Sequence, residues 1–99
     1  MTKLRVLPEA EEELRIATLH YEAQRVGLGR ALLAEIRRSY KRISEFPLAA
    51  REERGDIRVV SIARFPHRIY YRAGDVEIVI IAIGHRRRRP GFWRERVAT

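Results

Sequence analysis

The stretch Val76-Glu77-Ile78-Val79-Ile80-Ile81-Ala82-Ile83-Gly84-His85 decides the fold, and Arg86, Arg87, Arg88 and Arg89 follow it at once, with Pro90, Phe92 and Trp93 close behind. β-Branched side chains lose little on a pleated surface and gain most when covered, so the run predicts a buried central strand. The strongest core signal and the strongest cationic signal therefore sit back to back, and the change falls at His85.

Working back from that strand, His67 to Ala73 and Ile57 to Ala63 also show a strand-like period. Gly74-Asp75 is a Gly-first pair of the kind a type II′ hairpin needs, and Arg64-Phe65-Pro66 places its proline at a strand start, where no ladder N–H is required. The three segments predict an antiparallel meander. Leu48 to Asp56 is charged, contains Gly55, and reads as an exposed loop.

Upstream the period becomes helical. Leu28, Leu32, Ile36, Tyr40 and Ile43 form one face of a helix that ends at Phe46-Pro47, and Ala10, Leu14, Ala17 and Tyr21 form one face of another, from about Pro8 to Gln24. Pro8 suits a first helical turn, and Glu9, Glu11, Glu12 and Glu13 complement the positive end of that helix's dipole, which leaves them a solvated face. Gly27 and Gly29 bracket a link short enough to force a helical hairpin, whose apolar stripe needs a sheet to lie on. Lys3 to Leu7 completes the order as a short strand. The expected fold is α+β: a short N-terminal strand, an antiparallel two-helix hairpin, and a mainly antiparallel sheet on which it packs, in the order β-α-α-β-β-β.

The chain has 99 residues, which suits one domain over 1–99 with a modest core. It has no Cys, and its N-terminus turns acidic at Glu9 before any signal-peptide apolar region, so a reducing, cytoplasmic setting is expected. The net charge of +8 comes almost entirely from arginine, since Lys3 and Lys41 are the only lysines. Guanidinium groups fit phosphate and carboxylate, which suggests an anionic partner.

Metal-ligand spacing is absent, because His20, His67 and His85 are scattered and no Cys is available; no cofactor motif appears either. Chemistry concentrates in the C-terminal segment. Arg86, Arg87, Arg88, Arg89, Arg94 and Arg96 interleave with Phe92 and Trp93 as in nucleic-acid or large-target binding; the arginine run reads as a binding surface, and Trp93 reads first as a lid folded onto the core and second as part of that surface. Five arginines on single-strand phosphates would give a salt slope of about −3.5. A cleavage site for RNA would instead need a base, a cation and an acid, roles open to His85, Arg58 and Tyr71 or its neighbour Tyr70.

Taken together, Ala10, Leu14, Tyr21, Gly27-Leu28-Gly29, Pro47, Gly55, Ile57-Arg58, Phe65-Pro66, Ile69-Tyr70-Tyr71 and Ile83-Gly84-His85 with Arg88, Arg89, Pro90, Trp93 and Arg96 resemble the RelE/ParE superfamily of toxins from bacterial type II toxin–antitoxin systems. The ending, His followed by Arg three later, Pro five later and Trp eight later, is most similar to the ParE-like and plasmid-stabilisation branch. The resemblance implies a small basic toxin that inhibits growth and is neutralised by a cognate antitoxin, whose acidic C-terminal segment wraps it in a hetero-oligomer. It implies DNA gyrase as target; no membrane and no cofactor are expected, since the longest apolar run is far too short to span a bilayer and no cofactor motif is present. The alternatives are a RelE-like endonuclease acting on mRNA at the ribosome, and a regulatory or inactive nucleic-acid-binding remnant. RelE-like sites use lysines in the sheet and a tyrosine near the C-terminus; here the sheet carries no lysine and no tyrosine follows Tyr71.

Overall fold

A computed structural model describes residues 3–97. The chain runs β1 (Lys3–Val6), α1 (Pro8–Gln24), α2 (Leu28–Glu45), β2 (Arg51–Arg54), β3 (Ile57–Ser61), β4 (His67–Ala73) and β5 (Glu77–His85), and ends in a 3₁₀ turn at Arg94–Arg96. The five strands form one sheet in the order β1-β5-β4-β3-β2, parallel between β1 and β5 and antiparallel elsewhere. The expected α+β architecture is present, with helix boundaries close to those the sequence implies.

Two features of the hairpin follow from single residues. Gly27 takes φ 90, a left-handed conformation that glycine adopts without steric cost, and this reverses the chain between the helices. Glu22, near the end of α1, then accepts the N–H groups of Gly27 (2.9 Å) and Gly29 (3.0 Å), so a carboxylate satisfies the otherwise unpaired start of α2. At Gly29 the helices touch: a Cβ there would lie 2.8 Å from the Thr18 carbonyl oxygen.

Three local readings need correction. Leu48 to Asp56 is not all loop, because Arg51–Arg54 pairs with β3 as an edge strand and Glu53 bulges out between Glu52 and Arg54. Its charged sequence hides the strand, and charge on an edge is how sheets discourage pairing with other chains. The β4–β5 turn is not type II′ at Gly74-Asp75: the Gly74 N–H donates to the Glu77 carbonyl at 2.9 Å, Asp75 and Val76 occupy the corner, and Gly74 is not left-handed. Finally, β5 lies between β1 and β4 and is interior, but the middle strand of the five is β4.

The long apolar run in β5 is not a simple alternation. Tyr70 pairs with Ala82 and Tyr71 with Ile80, which leaves Ile81 as a bulge. Ile78, Ile80 and Ile83 consequently pack on the helical side with Ala10, Leu32 and Ile36, whereas Ile81 and Ala82 both face the other side with Ile57, Tyr70 and Trp93. The extra residue re-aims everything that follows it, as bulges do. The sheet thus has a core on each face. Among the described residues no helix is long and apolar enough to cross a membrane.

Candidate functional site

The C-terminal segment is held by a residue from the far end of the chain. β1 stops because Pro8 begins α1, and the Leu7 N–H makes its last bond to β5, at the Ile80 carbonyl (3.0 Å). Beyond that point side chains take over the exposed edge of β5. Glu13 accepts the Ile83 N–H at 3.0 Å, and Arg96 donates to the Ile81 carbonyl at 3.1 Å. The two also bind each other through two 2.8 Å hydrogen bonds, and Arg88 adds a third at 2.6 Å to Glu13 Oε2. Burial alone would push the Glu13 carboxyl up, but Arg96, the Ile83 N–H and Arg88 outweigh it and hold the group below the usual carboxylate range. Glu13 is therefore not part of the solvated face expected of the first turn of α1. It sits one turn further along, on the side of the helix that meets β5.

The aromatics of the segment point inward. Trp93 is only 2% exposed and leans on Tyr70, with ring centroids 5.8 Å apart, while Phe92 meets Tyr70 edge-on at 5.6 Å. The Arg88 guanidinium lies 4.0 Å over the outer face of Phe92. Gly84 makes this possible, since a Cβ there would sit 2.6 Å from the tip of the Phe92 ring. Of the two readings open for Trp93, the structure has the lid. Arg88, though exposed, and the largely covered Arg96 are paired with Glu13, whereas Arg86, Arg87, Arg89 and Arg94 are exposed and make no salt bridge among the described residues.

His85 lies elsewhere than Arg58 and Tyr71. It ends β5 opposite His67, the two rings are 5.6 Å apart, and its Nδ1 accepts the Arg87 N–H at 3.0 Å. His67 also touches Tyr21 edge-on at 5.7 Å, and its own Nδ1 is buried without a partner. Burial, followed by the neighbouring His85 and His20, lowers the His67 pKa. These groups line a groove of about 350 Å³ between α1 and the end of β5. Sequence alone offers no signal for it, because its three histidines come from separate elements.

Arg58 and Tyr71 are cross-strand partners four residues further along β4, or about 13 Å at the usual strand rise. Their polar ends are already engaged. Tyr71 is fully buried and its hydroxyl donates to the Pro47 carbonyl at 2.7 Å; burial raises its pKa. Arg58 donates to the carbonyls of Ala50 (2.7 Å) and Leu48 (3.2 Å) and so fixes the connection from α2 to β2. The tyrosine that meets the C-terminal segment is Tyr70. No cluster of His, Asp and Glu able to hold a metal occurs among the described residues.

These features coincide with a known family. A model described as the ParE toxin of type II toxin-antitoxin systems, parDE, matches residues 4–90, from β1 to the proline after the arginine run. A solved chain titled "Chromosomal ParDE TA system from P. aeruginosa" is 26% identical, superposes with a TM-score of 0.71, and is aligned over 86% of this chain and 96% of that one. Comparison with curated proteins gives no match. With nearly the whole sheet and both helices inside the matched span, the chain belongs to the ParE toxin family of type II toxin–antitoxin systems.

Proposed function

We propose that this protein is the growth-inhibiting toxin of a parDE-type pair, that it acts in the cytoplasm by binding DNA gyrase through its basic C-terminal end, and that a cognate antitoxin neutralises it. The observation that carries binding over cleavage is the separation of His85 from Arg58 and Tyr71, whose functional groups are spent on backbone carbonyls. A general acid and base must both reach the scissile phosphate, and a gap of about 13 Å along the strand prevents that.

The antitoxin has a matching surface. β2 pairs only as far as Val59, so the remaining edge of β3 is free beside α2. The groove between them measures about 520 Å³ and is lined by Arg38, Lys41, Arg42, Glu35 and Glu45, with Phe46 and Ile62; Glu35 pairs with Arg38 at 2.6 Å, which leaves Lys41 and Arg42 as its cations without a salt bridge among the described residues. An acidic segment with apolar side chains complements both the charge and the floor of this groove, and its backbone can extend the sheet.

The test adds purified toxin to a gyrase supercoiling reaction and, separately, to reconstituted translation with mapped mRNA ends. The expected result is loss of supercoiling, restored by the antitoxin encoded beside the toxin, with mRNA left intact. Ribosome-dependent cuts within codons, abolished in His85→Ala, would replace this reading with that of a RelE-like endonuclease.

A further inference from the structure

We propose that the end of the molecule formed by the β3–β4 loop and the residues just after β5 binds the phosphate backbone of a polynucleotide without reading its bases. The arginines of this region divide into two groups. Arg88 and Arg96 are neutralised by Glu13, but Arg64, Arg68, Arg86, Arg87 and Arg89 make no salt bridge among the described residues.

These five lie at one pole. The Arg86 N–H donates to the Pro66 carbonyl at 2.8 Å, which joins the loop to the strand end, and Arg68 and Arg86 line a shared cleft of about 180 Å³ with Ser61. Arg64 is the one non-glycine residue in a left-handed conformation (φ 72) among the described residues, so the chain bears local strain at the loop tip that carries this charge. From Ile57 to Arg94 the only carboxylates are Asp75 and Glu77, both at the opposite end of the β4–β5 hairpin. Glu95 shares a cleft with Arg89 and partly offsets it, but no carboxylate lies at this end of the elements that carry Arg64, Arg68, Arg86 and Arg87.

The restriction to phosphate follows from the aromatics. Trp93 and Tyr70 are buried, and Arg88 lies over the half-buried Phe92, so no Trp, Tyr or Phe face is open here to an unpaired base, and the ring left beside the arginines is the half-buried His85 imidazole. A surface with cations and no open Trp, Tyr or Phe face recognises charge density, which is highest on a duplex. The inference rests on the reading that this end faces the target, and it makes the nucleic acid of that target the contacted part.

The experiment measures fluorescence anisotropy of labelled duplex DNA, single-stranded DNA and single-stranded RNA with the full chain, without gyrase, between ~50 and ~200 mM salt. Expected are tighter binding to the duplex, a log–log salt slope of about −4.5 from five contacts at about −0.9 each, and unchanged indole fluorescence. Either double variant, Arg86→Ala with Arg87→Ala or Arg64→Ala with Arg68→Ala, should make the slope shallower by about 1.8 at an unaltered melting temperature. Arg25→Ala with Arg30→Ala, at the link of the helical hairpin, should leave it unchanged. No binding, equal losses in the hairpin variant, or single-strand preference with quenched Trp93 would each overturn the inference. Inhibition of gyrase without polynucleotide binding would also overturn it while leaving the gyrase reading intact; binding without inhibition would do the reverse.

Discussion

The face of the sheet under the helices and the face under residues 90–97 are both dry, but they are covered in different ways. On the helical side, regular elements present Leu32, Ile36 and Ile43 at helical spacing, and their burial follows from period alone. On the other side a short irregular segment supplies Trp93, with Phe92 and Val97 beside it. Such a segment has no periodic stripe, and its backbone bonds are short-range turns that do not tie it to the sheet. It is held by one ion-pair cluster, in which Glu13 of α1 grips Arg88 and Arg96. An amphipathic element can anchor itself, whereas an irregular cover needs a specific clamp from elsewhere in the chain.

The sharpest way to break this comparison is to empty the second core. Trp93→Ala should cost about 3–5 kcal/mol, as large as the roughly 2–5 kcal/mol expected for Leu32→Ala on the helical side, read from urea unfolding. A cost within about 0.5 kcal/mol, the range of surface substitutions, would make the segment a loose flap.

Removing the clamp comes next. Glu13→Gln strips the charge that holds Arg88 and Arg96, and should cost about 2 kcal/mol near neutral pH, less than the ~3–5 kcal/mol of a fully buried broken pair because this carboxylate is partly wet. The dependence on pH has a definite sign. The folded carboxyl titrates below its unfolded value of about 4.3, so its stabilisation is present above that pH and is lost as pH falls through the folded value. Wild type and Glu13→Gln should therefore converge in acid. Parallel urea midpoints down to about pH 3 would show that Glu13 is not the clamp.

The smallest effect concerns His67, at the seam between α1 and the end of the sheet. Its folded pKa is depressed, so the unfolded chain takes up the proton first, and stability drops as pH falls below about 6.5. His67→Gln should remove that part of the drop in melting temperature between about pH 7.5 and 5.5. An identical drop in the variant would assign it to other groups.

Much of this molecule is legible in the sequence, for identifiable reasons. Pro8, the Gly27 link and Pro47 punctuate the helices through backbone constraints, and Ile78 to Ile83 announces a buried strand by composition. The edge strand Arg51–Arg54 is hidden because its side chains are charged and mostly face solvent, so no apolar alternation marks it. Of the candidate residues, His85 and the exposed arginines stand at the surface that the sequence suggests, while Arg58 and Tyr71 lie at the other end of the sheet, holding loops.

The class of fold, the net charge of +8 and the placement of a basic run directly after a core strand can all be read along the chain, because period, composition and chain order are local properties. Which arginines are free depends instead on contacts between distant segments. Glu13 lies 83 residues from Arg96, and it reaches that arginine because β1 ends at Pro8 and α1 crosses the open edge of β5. The bulge at Ile81 then decides that Ile81 and Ala82 share the face covered by Trp93 while Ile83 returns to the helical side. Pairing and burial depend on which groups the fold brings within a few ångströms of one another, and no local pattern along the chain encodes that.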